Sequence, residues 1–487
     1  MLSHLSWRSL HTSTARWGQK AKRRKQALRE NNPHLPVRSD SGKPVVQALT
    51  HFDQFYSSVY KHKWSGMRLG LLCPQKFAVF VNNFGDSERT CAELEELGCV
   101  NINEEFARGQ EKVQPYFDLE PQDQGVEVSS EDEASGSSES TGASSDVIES
   151  HEPTVSSLDP SDSASRLMKP DNNLLGGNSV SMYQFMPTKE LKGMEEFVEE
   201  ASYYEAYKKV ETEAIKVRPS SGLNFPAHLR CYTFPRGDLS RFPSPGLSSM
   251  STLDYYCLDG ASLLPVLALD VQPGHSVLDM CAGPGGKSLA ILQTLHPASL
   301  VCNDVSQERV RRVISVLDQY LGRGSGLGDV RKTVSISRRD GTQLHDYEAY
   351  DRVLVDAPCY SDRHSVTSDL GNIFVKSEIK NRLRMPERQS ELLKNGLLHL
   401  APGGSLVYST CTLSPVQNDG VVHRVLGQIW EETNLNFEVE DLDLAVKPFR
   451  FMCRIFGRKE GLKYGQLVVP SILHNFGPMY FCKINRI

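Results

Sequence analysis

The segment that most constrains this chain is Ser276–Met280, followed by Cys281-Ala282-Gly283-Pro284-Gly285-Gly286-Lys287. The first five residues are a short apolar run ending at an acid, Asp279, and read as a buried parallel strand. The next seven form a tight glycine-rich turn, and Ser288-Leu289-Ala290-Ile291-Leu292 opens a helix. Strand, glycine turn and helix together bring main chain close to a nucleotide-like ligand at a helix N-terminus. Glycines are needed there because a side chain would hold the ligand away. Three ligand classes use such a turn. A dinucleotide wants G-x-G-x-x-G, which is not present. A nucleoside triphosphate wants G-x-x-x-x-G-K-[ST]; Gly286-Lys287-Ser288 matches its end, but its first glycine falls on Cys281. The third class is S-adenosylmethionine, which needs close main-chain approach to its amino-acid tail. Asp304 favours the third, because it closes a second apolar run where an acid meets ribose hydroxyls in doubly wound folds.

Downstream, the alternation continues. Apolar runs at 299–304, 333–337, 350–356, 405–410, 437–439 and 479–484 are mostly separated by helical patterns at 287–295, 307–321, 389–400 and 417–430. This predicts an α/β domain over residues 224–487, a doubly wound, Rossmann-like sheet that is mostly parallel with helices on both faces. The last run follows a helix-poor stretch and is expected to pair antiparallel at the sheet edge.

The remainder divides by composition. Residues 1–30 carry Arg8, Arg16, Lys20, Lys22, Arg23, Arg24, Lys25 and Arg29, with no acid before Glu30. That pattern reads as a mitochondrial transit peptide, or alternatively as a nuclear basic tail on Lys22–Lys25. Residues 41–116 place Leu49, Phe52, Phe55, Tyr56, Val59 and Tyr60 at helical spacing, predicting a small helical region packed on the main domain. Residues 117–218 are an acidic, serine-rich insert. The stretch 115–165 has no Lys or Arg, and its composition predicts disorder, followed by a charged helix at 190–216. Its acid clusters repel phosphate, so it is not an RNA-binding arm. The formal net charge of −6 is therefore unevenly distributed. No apolar run is long enough to span a bilayer. The eleven cysteines include no C-x-x-C pair, so no metal cluster or disulfide framework is expected.

Ligands of such sheets bind beyond the carboxyl ends of the strands. There the sequence puts Asp279, Asp304 with Arg309 a turn later, Asp340-Gly341, Asp356-Ala357-Pro358-Cys359, and Ser409-Thr410-Cys411. Each alone also reads as a helix cap or a buried small residue; together they indicate a site. Two cysteines beside a methyl-donor pocket suit one reaction. Cytosine C5 does not take a methyl group directly. A thiolate adding to C6 makes C5 carbanion-like, and the thiolate is expelled after the C5 proton leaves. Asp356 is the acid placed to hydrogen-bond pyrimidine N3 as charge develops. Spacing does not rank the two cysteines. Basic residues between Lys376 and Lys394 (Lys380, Arg382, Arg384, Arg388), with Arg363-His364 before them, read as a phosphate-facing patch or as a solvated helix face.

D-A-P-C, Y-S-T-C and L-D-M-C-A-G-P-G-G-K, in this order of strands, resemble the Nop/Sun family of RNA cytosine-5 methyltransferases over about residues 229–487. Arg230–Pro243, Tyr255–Leu269, Asp351–His364 and Asn475–Lys483 look more specifically like its mitochondrial ribosomal-RNA member, and Val81–Phe84 extends the likeness weakly. The resemblance implies Cys411 as nucleophile, with Cys359 assisting release. It implies S-adenosylmethionine contacts by Gly285, Gly286, Lys287, Asp304, Arg309, Asp340, Gly341 and Asp356. It further implies a substrate in mitochondrial small-subunit rRNA, a matrix location and a role in ribosome assembly. The implied guide is a helical-repeat protein of the mitochondrial transcription-termination-factor family. Two features depart from the family: Gly283 stands where alanine is usual, a change expected to be sterically harmless, and the acidic insert is unusually long. An assembly scaffold with secondary methylation, and a nucleotide hydrolase using Gly286-Lys287-Ser288, are the alternatives.

Overall fold

The structure, a computed structural model, describes residues 42–117, 200, 204, 215–322 and 328–487. The basic N-terminal stretch and nearly all of the acidic insert, with its charged helix, lie outside the described residues. The chain begins with α1 (Pro44–Tyr60), α2 (Trp64–Leu72), β1 (Ala78–Val81), α3 (Ser87–Glu96), β2 (Val100–Asn101) and α4 (Ile102–Phe117). After the insert come β3 (Val217–Pro219), β4 (Cys231–Thr233), β5 (Tyr255–Leu258) and α5 (Leu263–Leu269). The predicted strand–turn–helix follows as β6 (Ser276–Asp279) and α6 (Gly286–Gln293). Next are β7 (Ser299–Asn303), α7 (Gln307–Leu321), α8 (Gly328–Thr333), β8 (Val334–Ser337) and β9 (Tyr350–Asp356). The chain ends with α9 (Asp362–Thr367), α10 (Ile379–Leu383), α11 (Met385–Leu398), β10 (Leu400–Thr410), α12 (Asp419–Glu432), β11 (Phe437–Asp441), β12 (Arg454–Phe456), β13 (Gln466–Val469) and β14 (Met479–Arg486).

The large sheet runs β12-β13-β14-β10-β9-β6-β7-β8, with β11 pairing β14 and β3 pairing β11. From β6 the chain steps outward to β7 and β8, then returns to β9 on the other side of β6. The order therefore reverses between β6 and β9, where open sheets form their ligand crevice. The pairs from β10 to β8 are all parallel. Side-chain alternation explains why both faces are covered. Val277, Leu354 and Val407 enter one core with Leu289, Leu300 and Leu317. Their neighbours Leu278, Val353, Val355 and Leu406 enter the other with Leu393 and Val425. α6 and α7 thus cover one face, and α11 and α12 the other.

Three expectations are corrected. First, the final strand is antiparallel to β10, but it is not an edge: β11 and β13 pair along its other side. β12 and β13 escape a pattern search because they are three- and four-residue strands in a turn-rich stretch. Second, the N-terminal region is not only helical. Ala78–Val81 is four apolar residues at 0 % exposure, and it centres a small sheet of order β2-β4-β1-β5. Two of these strands come from residues beyond the insert, so the expected boundaries at 116 and 224 do not separate two bodies. The insert's expected end at 218 likewise falls inside β3, which pairs in parallel with β11. Third, Arg363 is not a phosphate-facing residue. Its Nε donates to Gly477 O (2.9 Å), Nη1 to Gly70 O (3.0 Å) and Cys73 O (3.1 Å), and Nη2 to Asn475 Oδ1 (2.9 Å). It ties α2 to the loop entering β14.

The small sheet is joined to the large one by the dipeptide Asn82-Asn83. Asn82 Nδ2 donates to Leu253 O and Tyr320 O (both 2.9 Å), and its Oδ1 accepts from Gln293 Nε2 (2.8 Å). Asn83 Nδ2 donates to Gln293 O (2.8 Å), at the end of α6. The helix that follows the glycine turn is thereby held at its far end by the N-terminal sheet.

Replacing Arg363 with Met strands three carbonyl oxygens and an amide. We expect a loss of about 2–4 kcal/mol in stability, measured by urea unfolding, without a change in affinity for the methyl donor.

Candidate active site

The glycine turn is built by close approach. A Cβ at Gly283 would lie 2.5 Å from Arg309 Cβ and 2.6 Å from Asp304 Oδ2. The position is filled by its neighbours in this chain, so glycine here is a requirement rather than an indifferent replacement for alanine. Gly285 has φ of 111°, in the left-handed region open to glycine. A Cβ at Gly286 would touch the ring of Tyr256 at 3.0 Å. Behind the turn, buried Asp279 accepts from Ser288 Oγ (2.5 Å). Burial, reinforced by the nearby Asp356 carboxylate, raises its pKa to about 7, against the opposing Ser288 hydrogen bond.

Beyond the ends of β6, β7 and β8 lies a cleft of about 780 Å³. Asp304, Arg309, Asp340 and Gly341 line it, as do Arg384 and Arg388 from the basic stretch. Asp304 Oδ1 accepts from Ser306 N (2.8 Å), and Oδ2 accepts from Gly283 N (3.2 Å). A carboxylate has about four acceptor positions, so two remain for the vicinal hydroxyls of a ribose. At Gly341 a Cβ would fall 2.7 Å from Leu392 Cδ2, which keeps that wall flush. An adenosyl group with an amino-acid tail fits these groups: acids for the hydroxyls, a bare turn for the tail and apolar Met280 and Leu392 on the wall. Arg388 lies 3.7 Å from Asp340 Oδ2, whereas Arg382 stacks on the Phe374 ring at 4.6 Å. Of the basic stretch, Arg384 and Arg388 therefore face the cleft, and Arg382 is engaged in packing.

Lys287 and Asp356 are found with the cysteines rather than along the cleft wall. Lys287 Nζ donates to Asp356 Oδ2 (2.7 Å), and Ser409 Oγ donates to Asp356 Oδ1 (2.8 Å). Burial lowers the lysine's pKa, but the Asp356 carboxylate outweighs it, and the net shift is upward. One residue past the cleft's Pro358, the Cys359 and Cys411 sulfurs lie 3.0 Å apart. Ser361 Oγ is 3.3 Å from Cys411 Sγ, and Cys411 N donates to Cys359 Sγ (3.2 Å). The Cys359 hydrogen bond, then that of Ser361 and the charge of Lys287, hold the Cys411 pKa below the usual thiol range, despite burial and the Asp356 charge. The same bond to Cys411, with burial, pushes Cys359 well up. The arrangement favours ionisation of Cys411 over Cys359 and sets both sulfurs near the Lys287–Asp356 pair.

Sequence reasoning gave no role to Ser361 or Asp362, and named Ser409 only as part of a strand end and Ser288 only as the end of a triphosphate motif. The serines carry no pattern of their own; their only signal is proximity in sequence to the cysteines, the glycine turn and Asp356. Ser361 sits at φ 51°, left-handed for a non-glycine residue, which aims its hydroxyl at the sulfurs.

A family profile described as 16S rRNA methyltransferase RsmB/F matches residues 266–463. The chain is 42 % identical over 316 residues to the 5-cytosine rRNA methyltransferase NSUN4 of Mus musculus, spanning 65 % of this chain and 80 % of that protein. It is 35 % identical over 442 residues to NSUN4 of Xenopus tropicalis, covering 90 % of each chain. It is 32 % identical over 454 residues to nsun-4 of Caenorhabditis elegans, covering 91 % and 92 %.

Two outcomes follow. A raised Asp279 pKa means the folded chain holds that proton longer than the unfolded chain. The resulting stability is present below about pH 4 and is lost as pH rises through about 7. Asp279→Asn should flatten the melting temperature between about pH 5 and 8, removing a change on the order of 2–4 kcal/mol. Ser361→Ala should raise the pH midpoint for carbamidomethylation of Cys411 by iodoacetamide, followed by mass spectrometry.

Proposed function

The chain belongs to the RsmB/F family of RNA cytosine-5 methyltransferases, and on that premise we propose which residues perform the reaction and on which RNA. The methyl donor is S-adenosylmethionine, which supplies an electrophilic methyl group when bound. Gly285 and Gly286 give its amino-acid tail access to the α6 N-terminus, Asp304 takes the ribose hydroxyls, and Asp340, Gly341 and Arg309 complete the cleft. Cys411 is the nucleophile: its sulfur adds to C6 of a cytosine and makes C5 carbanion-like. The Lys287–Asp356 pair offers its proton at N3 as negative charge builds on the ring. Once C5 carries the methyl group, its proton leaves and the C6–sulfur bond breaks. Cys359, in contact with the departing sulfur, assists that release. The observation that carries this assignment is the 3.0 Å contact between the two sulfurs beside the 2.7 Å Lys287–Asp356 pair.

The substrate we propose is mitochondrial small-subunit rRNA, by likeness to relatives named as rRNA methyltransferases. The basic residues 1–29 serve as a matrix-targeting segment, and methylation supports ribosome assembly. A helical-repeat guide of the transcription-termination-factor type docks the enzyme, in keeping with how few cations reach the cleft. By role rather than by separate bodies, residues 224–487 carry the chemistry, the 41–116 region braces them and the acidic insert is a spacer.

Bisulfite sequencing of organelle RNA with and without the protein tests substrate and chemistry together: one small-subunit cytosine should lose its mark. Cys411→Ala should reduce methylation by at least about a thousandfold, whereas Cys359→Ala should accumulate a covalent protein–RNA adduct visible on a denaturing gel. Undiminished turnover by Cys411→Ala would reject the assignment, and assembly unaffected by that substitution would make scaffolding the main role.

A further inference from the structure

Among the buried carboxyl groups the mechanism leaves unused, one stands next to the sulfurs. Asp362 opens α9 three residues after Cys359 and is 0 % exposed. Among the described residues no cation is paired with its carboxylate. Oδ1 accepts from Thr412 Oγ1 (2.7 Å), and Oδ2 accepts from Leu413 N (2.7 Å) and Tyr56 OH (2.9 Å). Its own amide donates to Cys411 O (3.4 Å). Every one of these contacts except Tyr56 is to Cys411 or the two residues after it.

Tyr56 comes from α1, more than 300 residues away in sequence. It also lies 3.2 Å from Thr412 Oγ1. One turn later on the same face of α1, Tyr60 OH donates to Leu413 O (2.5 Å). Tyr56 stacks on Phe52 at 5.0 Å and meets Trp64 edge-on at 5.2 Å, so its hydroxyl is held at a fixed point. Burial first, and then the Asp362 charge, keep that hydroxyl protonated and therefore a donor. A buried carboxylate with several good donors is rigid, and losing one donor is costly because the charge stays out of water.

We propose that Asp362 and Tyr56 are positioning residues for the reaction, fixing the main chain of 411–413 so that the Cys411 sulfur stays against Ser361 and Cys359 and faces the base. α1 is therefore a brace for the nucleophile, not only a cap on the fold. The inference rests on Cys411 being the nucleophile.

The test uses the full chain, S-adenosylmethionine and a transcript of mitochondrial small-subunit rRNA. Tyr56→Phe keeps the ring packing and removes one donor. It should lower kcat, and in parallel the iodoacetamide alkylation rate of Cys411 without RNA or donor, by about tenfold. The KM for S-adenosylmethionine should stay within about twofold. Asp362→Asn should lower both rates further, and the double variant should fall short of the product of the single effects, as expected for residues acting through one network. Ala48→Gly, which weakens α1 about two turns before Tyr56 without touching the 411–413 turn, should lower the melting temperature while leaving both rates unchanged. Should Asp362→Asn fail to fold, Tyr56→Phe decides alone. Rates within twofold of the parent in Tyr56→Phe would overturn the proposal, as would equal losses in Ala48→Gly. Turnover surviving in Cys411→Ala would instead reject the underlying nucleophile assignment, and the alkylation readout keeps the two failures apart.

Discussion

The site depends on one register, that of β9 against β10. Asp356 is paired with Ser409 in a parallel ladder, and adjacent strands lie about 4.8 Å apart. Three residues past the first and two past the second, the chain reaches Cys359 and Cys411 at the same height. The register is set by what is buried below it: Val353 and Val355 with Leu406 and Tyr408 on one face, Leu354 with Val407 on the other. A slip of one residue would turn each of these side chains to the wrong face. It would also separate Ser409 from Asp356 and one sulfur from the other. β14, paired through Thr410↔Tyr480, closes the opposite side of β10 and leaves its tip no freedom to twist away.

Much of this was legible in the residues. The glycine turn, the alternating runs and the acids at strand ends have local causes, a short-range sterical demand or a period of two, so sequence alone exposes them. Strand β9 begins and ends at the predicted residues; its apolar centre, Val353-Leu354-Val355, is closed by the acid Asp356. The illegible parts are those fixed by long-range contact. Ala78–Val81 has too few residues for a period, and its partners, Cys231–Thr233 and Tyr255–Leu258, lie well over 100 residues away. Arg363 looks like a surface cation until Gly70, Cys73, Asn475 and Gly477 are seen to converge on it. Tyr56 falls in an aromatic stripe at helical spacing, and nothing in that spacing says its hydroxyl reaches a carboxylate at 362.

The two halves of the chain also divide the work differently from their composition. Residues that line the cleft and the two neighbouring sulfurs belong to the large sheet and its loops. The supports come from the N-terminal region: Asn82 and Asn83 at the far end of α6, Tyr56 and Tyr60 at the turn after β10, and the carboxyl end of α2 at Arg363. The catalytic segment is therefore held at several points by residues that carry no chemistry themselves. This is how a site keeps a narrow range of geometries while its own groups remain partly open to substrate.

The insert enters from α4 and leaves into β3, and both flanks are tied to neighbouring structure. Phe106 packs against Phe449 with ring centroids 4.8 Å apart, while Val217 is in register with Val439. The small sheet further interleaves strands from before and after the interruption. The two ends of that stretch are thus held near each other by strands and rings on either side of it, and the entropic penalty of closing a longer connection between such fixed ends grows only logarithmically.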